Sequence, residues 1–196
     1  MSPKRDYEPR DALRLLEPSP VALVTSQFRS QPNVLTVAWL MPLSFSPTQL
    51  AIALHPDRFS HELISRSETF IVNIPTAEQL RAIHLCGLLS GRDHDKFAAA
   101  SLTPADAREL DIPIIEECVG HIECGLIERV RFGDHDLFIG QVLAVTAEET
   151  LFHDRWEVVE AEGFPLVHHL GSEAYVSGAK LYRVRVASEE EAEAAT

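Results

Sequence analysis

Cysteine is scarce in this 196-residue sequence, and the three cysteines present form no framework. Cys86, Cys118 and Cys124 are scattered, and no two of them have the Cys-x-x-Cys spacing of a redox or metal motif. This argues against a disulfide-stapled secreted fold and predicts reduced, structural thiols in a cytoplasmic protein. Long apolar runs are also missing, since none approaches the ~20 residues that a membrane-spanning helix needs. The polar, mixed-charge residues 1–10 predict neither a signal peptide nor a membrane anchor.

Positive charge is in short supply as well. The chain has 17 lysines and arginines against 30 aspartates and glutamates, a formal net charge of −13. Nucleic acid is therefore not an expected partner, because neutralising phosphates requires a basic surface. An anionic ligand would have to be held by local cations or helix N-termini against the overall field. Residues 187–196 form an acidic tail that adds to the excess.

The remaining sequence is dominated by short apolar, β-branched segments separated by turns. They predict strands at residues 20–26, 50–54, 69–74, 119–130, 137–145 and 181–186. Two helices are expected among them, one after Ser60 as N-cap and one after the capping-box pattern Thr76-x-x-Gln79. The pattern predicts a single, mainly β domain with inserted helices, whose sheet is closed or nearly closed to remove its edges.

Residues 33–47 join two of these strands and are the segment on which the functional interpretation centres. The segment begins as a strand and then contains Pro42 and Pro47, which exclude a regular central strand and predict an irregular loop. Irregular backbone beside a strand leaves N–H and C=O groups to be satisfied. A planar ligand with a polar edge, water or a partner chain would each satisfy them.

Cations and histidines mark three further candidate sites. Arg58 precedes the helix predicted at Ser60, which indicates either a phosphate site or a plainly capped helix. In the polar loop at residues 90–97, Lys96 either binds an anionic group or is simply solvated. The neighbouring acidic and histidine residues of this loop do not predict a metal site, because adjacent loop residues rarely converge on one ion. His135 lies in a turn, and His168, His169 and Tyr175 form a late patch or a loop covering the barrel.

The order of these motifs resembles the flavin reductase-like, FMN-binding split-barrel family that includes flavoredoxin. The resemblance rests on Pro20-Val-Ala-Leu-Val-Thr-Ser26, Asn33-x-x-Thr36-x-x-Trp39 with Ser44-Phe-Ser-Pro47, and Phe70-Ile-Val-Asn-Ile-Pro75. The segments at residues 90–97, 123–124 and 133–140 fit the same pattern. The sequence departs from flavoredoxin-like members after Gly171, where Ser-Glu-Ala-Tyr175 replaces Gly-Asn-Arg-Tyr.

The resemblance implies a homodimeric split β-barrel over residues 16–186, after a flexible segment at residues 1–15. It implies FMN near the subunit interface, with the flavin ring along residues 36–44 and the phosphate at residues 58–60 near Lys96. The cofactor-binding residues would be Thr36, Val37, Ala38, Trp39, Ser44, Arg58, Phe59, Ser60 and Lys96. The nicotinamide-side residues would be His135, His169 and Tyr175.

The function implied by the resemblance is hydride transfer from NADH or NADPH to flavin. No Gly-x-Ser-x-Gly, P-loop or Gly-x-Gly-x-x-Gly motif supports another enzyme class. Two alternatives stay open: an FMN electron carrier serving a partner protein, and a non-catalytic split-barrel dimer. An electron-acceptor protein or a monooxygenase component is the expected protein partner.

Overall fold

The structure is a computed structural model that describes residues 4–157 and 166–178. Its α-helices are α1 (Ala12–Leu15), α2 (Phe59–Ser67), α3 (Leu80–Leu88) and α4 (Lys96–Ala100), and two 3₁₀ turns span Pro9–Asp11 and Ala77–Gln79. Its strands are β1 (Ser19–Pro20), β2 (Ala22–Phe28), β3 (Gln31–Val37), β4 (Leu40–Phe45), β5 (Thr48–Leu54), β6 (Thr69–Ile74), β7 (Pro104–Ala105), β8 (Ile114–Ile115), β9 (Gly120–Phe132), β10 (His135–Ala147), β11 (Val167–Gly171) and β12 (Ala174–Ser177). The strand expected at 181–186 and the tail at 187–196 lie outside the described residues.

Seven strands form one antiparallel sheet in the order β3-β2-β6-β9-β10-β5-β4. Its two edge strands, β3 and β4, are consecutive in the chain and joined only by Ala38 and Trp39. Three peptide steps span at most about 11 Å, so the two edges of the sheet must meet at this point. The sheet therefore curls into a barrel with a seam between β3 and β4, across which the described residues form no strand ladder. The mainly β split barrel is confirmed, and its ladder is not closed.

Apolar side chains pack on both faces of β2 and β3. Val24 and Leu35 point into the barrel with Phe70 and Phe138, while Leu23 and Val34 pack on the other face against α3 and α4. A strand buried on both faces needs a continuous apolar run, which explains the unbroken Val-Ala-Leu-Val pattern at residues 21–24. Strand β3, which forms one side of the seam, is therefore packed against core residues on both of its faces.

The expectation of an irregular loop at residues 40–45 was wrong. These residues form edge strand β4, which pairs with β5 from Leu40↔Ile52 to Phe45↔Thr48 and shifts register between Pro42 and Ser44. An edge strand tolerates proline because its missing N–H can face away from the ladder. Pro42 excluded a central position, as expected, but it did not exclude a strand.

Residues 9–15 are helical, since a 3₁₀ turn and α1 occupy part of the segment expected to be flexible. The Thr76 capping box is present, since its side chain accepts from the Glu78 N–H while Gln79 accepts from the Thr76 N–H. In the described part of the chain, no helix has the length and apolar character needed to span a membrane.

Candidate functional site

A cleft lies at the seam, where the chain passes from the end of β3 to the start of β4. Its wider part, the outer cleft, has a volume of about 520 Å³ and is lined by Thr36, Ala38, Trp39, Ala53, His55 and His135 among others. A narrower part of about 70 Å³, the recess, is lined by Asn33, Arg58, Ser60, Ser90, Gly91 and Lys96 among others. Leu35, Asp57 and Arg58 line both parts, so the outer cleft and the recess adjoin.

The N-terminus of α2 forms one wall of the recess. The helix begins at Phe59 with Arg58 as its N-cap, and no side chain caps it. The expectation that Ser60 is the N-cap was wrong, because Ser60 is already helical and its buried hydroxyl accepts a hydrogen bond from Asn33 Nδ2 at 2.7 Å. The Ser60 hydroxyl is therefore hydrogen-bonded to Asn33, a residue of β3 that is distant in the sequence. The uncapped N–H groups of the first turn and the helix dipole favour an anion at this point.

Lys96 is buried rather than solvated. It is the first residue of α4 and only 4% exposed, and its Nζ donates to the carbonyl oxygens of Val34 and Cys86, each at 2.8 Å. A lysine ammonium has three N–H donors, so one remains for a group in the recess. Burial, with the Arg58 charge adding to it, lowers the pKa of Lys96 to about 8, although Cys86 opposes the shift.

Arg58 lies at the junction of the two parts of the cleft. Its Nη1 is 3.4 Å from the Gly87 carbonyl of α3, a long contact that leaves most of the guanidinium donors uncommitted. The loop that carries it is held by Arg92, whose Nη1 donates to the Asp57 carbonyl at 2.8 Å. The Arg92 guanidinium also lies 5.2 Å from the centre of the Phe59 ring. Arg92 therefore positions the wall that presents Arg58.

Aromatic and histidine rings line the outer cleft. The Trp39 ring lies 4.7 Å from the His135 ring, and the His55 ring meets His135 edge-on at 5.4 Å. His135 Nδ1 is 2.7 Å from Asp134 Oδ1, and this hydrogen bond lowers the pKa of Asp134. The His55 Nδ1 accepts from the Asp57 N–H at 3.2 Å, which ties the ring to its own loop. These rings present flat surfaces to a planar ligand.

Thr36 lines the outer cleft, but its hydroxyl already has a hydrogen-bond partner in the protein. Its hydroxyl donates to the carbonyl of Ile83, so it is used to dock α3 on β3. Val37, Ala38 and Trp39 line the outer cleft with it. Of the segment at residues 36–44 that was predicted to lie along a flavin ring, residues 36–39 line one cleft, and the Thr36 hydroxyl is already engaged.

Three of the predicted residues are not brought to the cleft of this chain. Ser44 lies on β4, paired with Gln49, outside the lining of either part. His169 and Tyr175 lie on β11 and β12, where their rings are 5.3 Å apart and His169 Nδ1 is 3.7 Å from Glu17 Oε1. Of the nicotinamide-side residues, His135 alone lines the outer cleft.

Sequence reasoning missed several residues of the site. Asn33 and Gly91 line the recess, and His55 and Asp57 line the outer cleft. Asn33 carried a signal, because a lone amide at the start of an apolar strand needs a buried partner. His55 and Asp57 flank a proline in the loop before α2 and carried no pattern that separates them from turn residues.

The residues present fit the FMN implied by the sequence. Uncapped helix N–H groups, Arg58, Lys96 and the buried Asn33 amide converge on a small recess that suits a phosphate. The adjoining outer cleft offers ring faces and strand backbone to a planar group. Among the described residues, no three His, Cys, Asp or Glu side chains come together as metal ligands would.

The chain matches known proteins over most of its length. Residues 14–174 match the model of the flavin reductase like domain. The chain is 31% identical over 163 residues to the NADH-dependent FMN reductase AsuE2 of Streptomyces nodosus subsp. asukaensis, covering 83% of this chain and 80% of that protein. It is 34% identical over 142 residues to an uncharacterised protein of Pyrococcus abyssi, covering 72% of this chain and 81% of that protein.

A solved structure has the same architecture. The FMN-binding protein from Thermus thermophilus with bound p-hydroxybenzaldehyde superposes with a TM-score of 0.81 and 28% identity, covering 94% of this chain and 100% of that chain. The family and the fold implied by the motif order are both confirmed by these matches. The family model alone covers well over half of the sequence, and the chain belongs to the flavin reductase-like family.

Proposed function

We propose that this chain binds FMN non-covalently and acts as an NAD(P)H-dependent flavin reductase. The observation that carries the proposal is the joining of a cation-bearing recess to an open, ring-lined cleft at the seam. In a chain of net charge −13, local cations at one buried point are the feature that an anionic ligand requires. The FMN-reducing relative AsuE2 and the FMN-binding Thermus neighbour support the choice of flavin.

The two parts of the cleft would take different parts of the ligand. In the recess, Arg58, Lys96 and the first turn of α2 at Phe59 and Ser60 would hold the phosphate by charge-assisted hydrogen bonds. In the outer cleft, residues 36–39 and the His135 ring would orient the flavin ring and limit the access of water to one of its faces.

Bound FMN supplies hydride-accepting chemistry, and the protein supplies orientation and electrostatics. Arg58 and Lys96 fix one end of the ligand, so the position of the ring is set relative to Trp39 and His135. No general acid or base is needed for a direct hydride transfer, and none is assigned. NADH is favoured as the donor by the NADH-dependent relative, while NADPH is the alternative.

A homodimer is part of the proposal. Strand β4 exposes Met41, Leu43 and Phe45. An apolar groove of about 330 Å³ beside the seam is lined by Leu13 of α1, by Leu16 just after that helix, and by Met41 among others. Exposed apolar surface of this extent is typical of a contact between proteins. A second copy of the chain would cover it, and sedimentation at micromolar concentration should show a dimer. A monomer there contradicts this part of the proposal.

Binding and hydride transfer are tested separately. Calorimetry should show FMN binding at or below high micromolar ligand, and the absence of heat at that concentration contradicts the proposed site. Stopped-flow absorbance should then show rapid bleaching of bound flavin by NADH or NADPH. Binding without bleaching by either nucleotide supports the electron-carrier alternative instead of the reductase.

A further inference from the structure

The side chain of Asn33 is left half-paired inside the recess. It is only 2% exposed, its Nδ2 donates to Ser60 Oγ at 2.7 Å, and its Oδ1 is buried without a hydrogen-bond partner among the described residues. A buried, unpaired polar atom costs free energy and is rare in folded proteins. This atom belongs to a residue that lines the recess. It therefore points to a ligand as its missing partner.

The amide can present either of its ends to the recess without losing its existing contact. A serine hydroxyl is both a donor and an acceptor, so the Asn33–Ser60 hydrogen bond survives when the amide turns over by half a rotation. With the cations of Arg58 and Lys96 nearby and no anion present, the amide oxygen is the favoured end to face the recess. An anion reverses the local field and favours the N–H end.

Gly91 keeps this amide in place. A Cβ at position 91 would overlap the Asn33 side chain and lie 3.0 Å from the Phe59 ring, so the loop after α3 approaches this closely only as glycine. The loop thus closes the recess behind Asn33. An amide confined between Ser60 and Gly91 can turn about its own axis but cannot move away, which suits recognition of one small group.

We propose that Asn33 makes the recess selective for a phosphate monoester, its amide turning over on binding so that Nδ2 donates to the phosphate and Oδ1 accepts from the Ser60 hydroxyl. This inference rests on the proposed function, because it assigns the phosphate of FMN to the recess. It adds a neutral donor to the cations and the helix N-terminus. Asn33 is then the residue that distinguishes FMN from riboflavin without contributing charge.

The test compares FMN with riboflavin in Asn33→Asp, measured by calorimetry at pH 7. The introduced carboxylate has no N–H donor and repels the phosphate, so FMN binding should weaken by at least about tenfold, while riboflavin affinity changes by less than about twofold. A residue that only supports the fold would weaken FMN and riboflavin alike.

Gly91→Ala tests the same contact without altering Asn33. It should push the amide out of the recess and weaken FMN more than riboflavin, and it carries the test alone if Asn33→Asp does not fold. Gly125→Ala is the matched control, since a Cβ there would meet Leu143 at an ordinary 3.5 Å. It should leave both affinities unchanged, with circular dichroism confirming that each variant is folded.

Three results would overturn the inference. Equal losses for FMN and riboflavin would show that Asn33 supports the fold. Unchanged FMN binding in Asn33→Asp would show that Oδ1 acts as an acceptor or faces no ligand. Failure of the original chain to bind FMN would overturn the proposed function as well, and is distinguished from the first two because it appears before any substitution.

Discussion

The recess and the outer cleft share one wall but are built in opposite ways. In the recess, Asn33, Ser60 and Lys96 are buried and already joined by hydrogen bonds to neighbouring strands and helices. In the outer cleft, Trp39 is 47% exposed and its neighbours are rings rather than hydrogen-bonded partners. The recess is therefore preorganised for one group of fixed shape and charge, whereas the outer cleft offers adaptable contact area.

Under the proposed function, this difference gives the two parts of the cleft separate tasks. Preorganised donors lose little entropy on binding and give affinity and selectivity. Exposed rings let a second molecule approach the ligand from the open side, which a hydride donor requires. Substitutions in the recess should therefore change which flavin binds, and substitutions in the outer cleft should change all flavins alike.

Arg58→Ala should give the largest effect that separates the two parts. It removes a bidentate donor of a charge-assisted hydrogen bond, worth roughly 1.5–3 kcal/mol, so FMN binding should weaken by about ten- to a hundredfold. Riboflavin, which lacks the phosphate, should bind almost as before. Calorimetric titration with both ligands measures the comparison.

Arg66→Ala is the control for Arg58, because Arg66 lies on the exposed face of the same helix and pairs with Glu62 at 3.0 Å. It should leave both affinities unaltered. If Arg58→Ala weakens FMN and riboflavin equally, Arg58 supports the fold and the assignment of the phosphate to the recess is wrong.

Raising the pH should give a smaller effect that is again confined to the recess. Lys96 has a pKa of about 8, so its charge is present at pH 7 and mostly lost at pH 9. The FMN phosphate is already dianionic over this window. FMN binding should therefore weaken by about tenfold between pH 7 and pH 9, while riboflavin binding stays flat. Calorimetry with both ligands at the two pH values measures the change.

The stability of the unliganded chain should respond to Lys96 with the opposite sign. The unfolded chain holds the lysine proton up to its ordinary pKa, whereas the folded chain releases it near pH 8, so this residue makes the fold more stable as the pH rises above about 8. Lys96→Met is the control, and it should remove both pH dependences. A pH slope for FMN that persists in Lys96→Met rules out Lys96 as the titrating group.

Trp39→Ala should give the smallest effect and should not distinguish the ligands. Loss of one ring surface is worth about 0.5–1.5 kcal/mol, which corresponds to a roughly two- to tenfold weakening of FMN and riboflavin alike. Flavin fluorescence titration measures both. A loss restricted to FMN would place the Trp39 ring at the phosphate end and would reverse the assignment of the two parts.

Local patterns in the sequence predicted the parts of this structure that depend on near neighbours. Thr76 and Gln79 are three residues apart, and their capping box forms as predicted. The β2–β3 hairpin is equally local, since Arg29 and Ser30 alone connect its two strands and both adopt positive φ. In both cases the partners are close enough in the chain for the pattern to include them.

Contacts between distant residues could not be predicted in this way. Asn33 and Ser60 are 27 residues apart. Nothing in the sequence near Ser60 therefore indicated that its hydroxyl would bond to Asn33 instead of capping the N-terminus of α2. Lys96 appeared to belong to a polar loop because its two carbonyl partners, on β3 and α3, are 62 and 10 residues away. The sequence pointed to residues 36–39 and 58–60 of the cleft, but not to His55, Asp57 or Gly91, nor to the hydrogen bonds that prepare the recess.

The seam between β3 and β4 has a consequence for how a ligand enters and leaves. Widening the barrel at Ala38 and Trp39 breaks no rung of a strand ladder, because β4 is held by β5 on its other side. A ligand lying against these residues contacts two edge strands between which the described residues form no strand ladder. A ligand at this place can therefore enter or leave without breaking any strand ladder of the described residues.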